Sequence, residues 1–165
     1  MDIRLILALS ALHLAGCAPD EPNRLDALKQ ADVTVKDHTF HVWVAQTSKQ
    51  REKGLMFVTA EQIKPLPNGH ERGMIFLFPQ EQSKLHGFWM KNTIIPLDIA
   101  YIRTDGTIVS IHTMAPLDTR TYRPKAPYRF ALEVRGNLFA KLKITTGDKV
   151  QIPKSLLKDL AKRAE

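Results

Sequence analysis

The stretch LDIAYIRTDGTIVSIHTM, residues 97–114, places two β-rich runs on either side of Asp105-Gly106. That dipeptide takes up the backbone of a tight turn at little cost, so the segment reads as an antiparallel hairpin. It fixes a β unit in the middle of the chain. Other strands surround it: in FHVWVA (40–45), Phe40, Val42 and Val44 alternate with His41, Trp43 and Ala45, which is the period of a strand. MIFLF (74–78) reads as a short buried strand halted by Pro79, and YRFALEV (128–134) and DKVQI (148–152) complete the set. Helical signals are short. A capping pattern at Thr47 and Gln50 opens a helix that Gly54 ends, a second lies around 138–142, and the tail from Ser155 is helical and cationic. Internal repeats and low-complexity tracts are absent. The expected fold is mostly β: an antiparallel β-sandwich or small β-barrel-like domain with short helices and a C-terminal helix. The helices are too short for a ferredoxin-like α+β layer.

The amino terminus reads differently. MDIRLILALSALHLAGC (1–17) has a charged start at Arg4, an apolar run from Leu5 to Ala15, and small residues before a cysteine, the order of an export signal. A spanning helix needs roughly 20 apolar residues, which this run does not reach. Its close, LAGC, resembles the lipobox of bacterial lipoproteins. The resemblance implies lipidation of Cys17 and cleavage just before it, with Ala18 favouring the periplasmic face of the outer membrane in a host with two membranes. Cys17 is the single cysteine, so no intramolecular disulfide competes for it. The expected organisation is a signal peptide over 1–16, a lipid-anchored tether over 17–31 carrying at most one helical turn, and one β-rich domain over 32–165. The formal charge is +7, and removing residues 1–16 takes away one Asp and one Arg and leaves it unchanged. A basic surface is drawn to anionic lipid or wall polymer. No long block of one sign appears, and nucleic acid is not expected as a partner.

KGLMF (53–57), RGMIFLF (72–78), FWMKNTIIPLDIAYI (88–102), ALEV (131–134) and GDKV (147–150) together resemble the domain of unknown function 192 family, also called uncharacterised protein family 0127. The resemblance covers roughly residues 33–152. It implies a compact, mostly β domain, often behind an export signal, with no established activity, substrate or cofactor. The chain departs from the pattern at EVRGN (133–137), where the family more often has a small residue, and Gly after Asn.

The candidate site residues start from HGFWMKNTIIPLD (86–98). With 87–90 extended, Phe88 and Met90 share one face while Trp89 and Lys91 share the other. Trp89, Lys91 and Asn92 then offer a stacking and hydrogen-bonding platform for a polar ligand, with Asp98, Glu133 and Arg72 as further ligand-binding candidates. The structural alternative has Asn92 and Thr93 locking a turn, Lys91 pairing with Asp98 or Glu133, and Asp98 with Arg72, Lys91 or Arg135. Asp98 and Glu133 are the candidates for paired-carboxylate hydrolysis of a wall polymer. There is no G-x-S-x-G, and a lipidated Cys17 is no nucleophile. For metal, His38 and His41 fall on opposite faces of a strand, whereas His112 and Met114 share one and with Met90 form a soft set suited to Cu(I). DTRTYRPKAPYRF (118–130) interleaves Arg120, Arg123, Lys125 and Arg129 with Tyr122 and Tyr128, a composition suited to an anionic or sugar polymer. These features favour a non-enzymatic envelope lipoprotein that binds an unidentified ligand or protein. Copper handling and wall-polymer hydrolysis are the alternatives, and no cofactor is expected.

Overall fold

The computed structural model describes residues 23–162, so the expected signal peptide over 1–16 and Cys17 lie outside the described residues. Seven strands, β1 (Gln30–Val35), β2 (His38–Ala45), β3 (Glu71–Gln82), β4 (Leu97–Ile102), β5 (Ile108–Met114), β6 (Tyr128–Arg135) and β7 (Val150–Gln151), form one sheet in the order β5-β4-β6-β3-β2-β1-β7. Three short helices, α1 (Ser48–Lys53), α2 (Leu138–Lys141) and α3 (Lys154–Ala161), accompany it. The sheet curls into a half-barrel. β7, the last strand in the order, pairs with β1 through Val35 and Val150, and Thr107, just ahead of β5, bridges to Lys149 beside β7. Val150 N–H donates to Gly106 O at 2.9 Å, so the two ends of the strand order meet at one rim.

The mostly β expectation holds, with one pairing that an antiparallel scheme does not contain. β2 and β3 run parallel, Phe40 opposite Glu71 and Val44 opposite Ile75. A parallel pair needs a long crossover connection. Here it comprises α1 and the turns after it, and it lies over the outer face of the sheet. α1 starts as its sequence dictates: the Thr47 hydroxyl accepts from Gln50 N–H at 3.2 Å, Gln50 Oε1 accepts from Thr47 N–H at 3.0 Å, and Gly54 closes the helix at φ 47°.

Some expectations need revision. β3 does not stop at Pro79. It extends to Gln82 through a register shift between Leu77 and Gln82, an irregularity that accommodates a residue without an N–H. Asp105-Gly106 sits at the tip of a longer loop, closed by Arg103 N–H to Thr107 O at 2.9 Å, and not in a two-residue turn. The strand expected over 148–152 contracts to Val150–Gln151. Residues 87–90 join no named strand; Phe88 makes an isolated bridge to Tyr122. Part of the tether expected over 17–31 is docked: Asn23 Nδ2 donates to Gly54 O at 2.8 Å and Met56 O at 2.9 Å, Leu25 is buried, and β1 begins at Gln30.

The sheet is buried on both faces, which is why all six residues of β4 are inaccessible. The inner face gathers Phe40, Val42, Ile75, Ala100, Phe130 and Leu132, closed by Phe139 of α2 and Leu156 and Leu160 of α3. The outer face gathers Trp43, Met74, Phe76, Ile99 and Tyr101 under Leu55 and Ile63 of the crossover and Met90 and Ile95 of the loop before β4. Burying one such side chain contributes about 1.5–3 kcal/mol, so both covers are integral to the fold.

Candidate functional site

The outer cover leaves a cavity of about 250 Å3 between the crossover and the 86–93 loop. β3 contributes Phe76 and Phe78, β6 contributes Tyr128 and Glu133, and Phe88 and Trp89 close the loop side. The rings hold one another edge to face: Phe76 and Phe88 at 4.8 Å between centroids, Phe78 and Tyr128 at 5.5 Å, Tyr101 and Phe88 at 5.8 Å. Such packing fixes the chamber wall. Arg51 lies over Phe78 at 5.0 Å and donates to Gln46 O at 2.8 Å and Leu77 O at 3.0 Å, which pins α1 to the sheet.

Glu133 lies at the floor. It is 4 % exposed and lines the cavity among apolar side chains. Burial disfavours its charged form and pushes the carboxyl up to about 8, so it keeps its proton at neutral pH. Tyr101 and Tyr128 beside it are also pushed up by burial, Tyr128 to about 12. The Tyr101 hydroxyl donates to Tyr122 O and accepts from Phe88 N–H at 3.1 Å, which ties the 86–93 loop to the sheet.

Trp89, 48 % exposed, separates this chamber from a second, outer cavity of about 430 Å3 that it also lines. Among the described residues, the outer cavity collects Arg24, Lys49, Lys53, Lys91 and Asn92 with one acid, Glu52. Lys91 is exposed and lies over the Trp89 ring at 5.4 Å. Asn92 occupies the left-handed region at φ 56° in a turn closed by Thr93 N–H to Met90 O at 3.0 Å, and its carbonyl accepts from Phe57 N–H at 2.8 Å.

The candidates therefore separate. Trp89, Lys91, Asn92 and Glu133 converge on the paired cavities. Asp98 does not: it is buried on the inner face, where Oδ1 accepts from Thr113 Oγ1 at 2.7 Å and Asn137 N–H at 2.9 Å and Oδ2 accepts from Phe139 N–H at 3.0 Å. It anchors the start of α2, and its partners are neither Arg72, Lys91 nor Arg135. Asp98 pairs in register with Val134 of the inner face, while Glu133 pairs with Ile99 of the outer face, so the sheet separates the two carboxylates and removes the paired-acid arrangement. Arg72 stacks over Trp43 at 4.0 Å, away from both cavities, and Arg135 pairs with Glu71 at 2.7 Å.

Met90 and Met114 are fully buried in the outer core. His112 packs between the rings of Tyr101 and Tyr122, each at 6.0 Å. Burial lowers its pKa, which keeps the imidazole neutral, and its buried Nε2 has no partner. Among the described residues no group of three or more His, Cys, Asp or Glu is placed to hold a metal. In the 118–130 loop, Arg120 pairs with Asp118 at 2.7 Å, Arg129 donates to Pro79 O at 3.0 Å, and Tyr128 is buried, so much of the expected polymer-binding set is occupied internally.

Sequence reasoning missed the aromatic walls Phe76 and Phe78 and the rim residues Arg51 and His86, read Phe88 only as sharing a face with Met90, and read Tyr128 as part of a polymer-binding loop. The signal was present in KGLMF, RGMIFLF, FWMKNT and ALEV, since each of these strings supplies lining residues.

The fold and site define a class: a half-barrel β domain with an aromatic-walled cavity on its outer face. The chain belongs to the family of domain of unknown function 192, described as Uncharacterized ACR, COG1430, whose pattern matches residues 31–152. A UPF0127 protein of Pyrococcus abyssi is 33% identical over 86 residues, which are 50% of this chain and 68% of that protein. A crystal structure of a protein of unknown function from Novosphingobium aromaticivorans is similar with a TM-score of 0.67 and 34% identity, covering 83% of this chain and 94% of that one. A second, from Sinorhizobium meliloti and provisionally described as a transcription regulator, is similar with a TM-score of 0.66 and 28% identity, covering 75% of this chain and 94% of that one.

Proposed function

We propose that the chain is a lipid-anchored envelope protein whose β domain binds a small ligand, without catalysis, in the cavity floored by Glu133. The observation that carries the reading is Glu133, an acid buried among apolar side chains that lines that cavity. A carboxyl group in such a setting costs the fold free energy and calls for a compensating role. A ligand atom that accepts from the protonated carboxyl supplies one. The strings that carry the family resemblance build the walls, which points to the cavity as their common purpose. Anchoring rests on the LAGC sequence at 14–17, with the outer membrane favoured by Ala18.

Two measurements test this. In a thermal-shift screen of small organic acids, alcohols and amines, the wild-type protein gains stability from ligands that Glu133→Leu no longer responds to. A Glu133→Leu protein that keeps every response removes the cavity from consideration. For the anchor, Cys17→Ala moves the protein from the membrane pellet to the soluble envelope fraction; unchanged sedimentation sinks that part alone.

A further inference from the structure

We infer that the ligand is a small amphipathic anion: an apolar body in the inner chamber with an uncharged acceptor toward Glu133, and a carboxylate or phosphate in the outer cavity. This rests on the binding reading above and names the chemistry of its ligand.

The two cavities share the Trp89 wall and differ in character. The inner chamber is lined by Phe76, Phe78, Phe88 and Tyr128, which suits a body of apolar or aromatic groups. Glu133 presents a protonated carboxyl there, a donor to an ester, ether or amide oxygen. Among the described residues the outer cavity gathers Arg24, Lys49 and Lys91 around one acid, Glu52, so these side chains give it a positive potential. In the outer cavity an organic cation meets like charge at Arg24, Lys49 and Lys91. The charged and titratable groups facing Glu133 are Tyr101 and Tyr128 from the sheet, Arg51, Glu52 and Lys53 from α1, and His86 from the loop. Apart from Glu52, none adds negative charge at neutral pH.

The full chain in phosphatidylcholine nanodiscs is titrated by calorimetry with 4-phenylbutyrate, 4-phenylbutanol and 4-phenylbutylamine, with empty nanodiscs as the blank. The expected result is butyrate binding at least about tenfold tighter than the other two. Lys49→Glu with Lys91→Glu abolishes that preference while leaving butanol binding unchanged, and added salt weakens butyrate alone. Equal binding of butanol, or tighter binding of the amine, overturns the ligand class and leaves the cavity reading standing. No binding of any probe up to about millimolar, with Glu133→Leu changing stability only, overturns both. Phosphatidylglycerol in the nanodiscs separates the sources: competition with butyrate assigns the anion to membrane lipid, and no competition assigns it to a soluble acid.

Discussion

Glu133 and Asp98 are both buried carboxyl groups, one residue out of register on neighbouring strands, with opposite consequences. Glu133 has its carboxyl raised to about 8, above the roughly 4.3 of a free glutamate, so the folded protein holds a proton that the unfolded chain has already released. Where the native state binds more protons, stability falls as pH rises. The loss accumulates between about pH 4.3 and 8 and levels off above, and is on the order of 3–5 kcal/mol as an upper bound. Urea denaturation at pH 5 and pH 8.5 is expected to show the lower midpoint at the higher pH, and Glu133→Gln flattens the dependence. A midpoint that rises with pH in this window contradicts a protonated Glu133. Asp98 instead satisfies Thr113 and two backbone N–H groups at the start of α2. Asp98→Ala strands those donors and is expected to cost about 2–4 kcal/mol, with probe affinity in the Glu133 cavity unchanged. The sequence showed two acids in apolar strands. It did not show the partners of Asp98, because those donors come from α2 and β5.

At the scale of elements, legibility followed the range of the interaction. The 97–114 hairpin and the α1 capping box depend on residues a few positions apart, and both were readable. β1 was not singled out: its polar positions Gln30, Asp32 and Thr34 follow a proline-containing, acidic stretch, and its role appears only in the pairing of Asp32 with His41 at 2.6 Å. The parallel direction of β3 against β2 was equally hidden, since the alternation of a strand carries no sign of its direction. Gly106 connects the readable hairpin to the unreadable closure. It sits at φ 86°, and a Cβ there would lie 2.7 Å from Val150 O. Gly106→Ala is therefore expected to strain the turn and push β7 from the rim, lowering thermal stability by about 1–3 kcal/mol. If Gly106→Ala is as stable as wild type, that contact does not close the barrel.

Over the whole molecule, the two faces of the sheet are covered by different kinds of structure, and the site follows from the difference. The inner face is closed by regular elements, α2 and α3, while the outer face is closed by α1, turns and loop. Trp89, Lys91 and Asn92 could be grouped as candidates because they are near neighbours in sequence. Glu133 was named as a candidate without its position, and Phe76 and Tyr128 were not joined to it, because only the order β6-β3-β2 brings them beneath Trp89. The outer cover is held by short-range bonds, Met56 N–H to Lys53 O, Val58 N–H to Leu55 O and Gln62 N–H to Thr59 O, with Phe57 N–H to Asn92 O joining its two walls. Both Phe57 and Asn92 hold positive φ, 61° and 56°, an arrangement that costs a non-glycine residue roughly 1–2 kcal/mol and relaxes when the walls part. Local turns of this kind open at lower free energy than paired central strands. Hydrogen exchange is therefore expected to be faster at residues 54–66 and 86–94 than in β2, β3 and β6, with a bound amphipathic anion slowing exchange in both walls together. Protection confined to one wall would place the ligand outside the chamber, and exchange as slow as in the central strands would mean the cavity admits ligands without its cover opening.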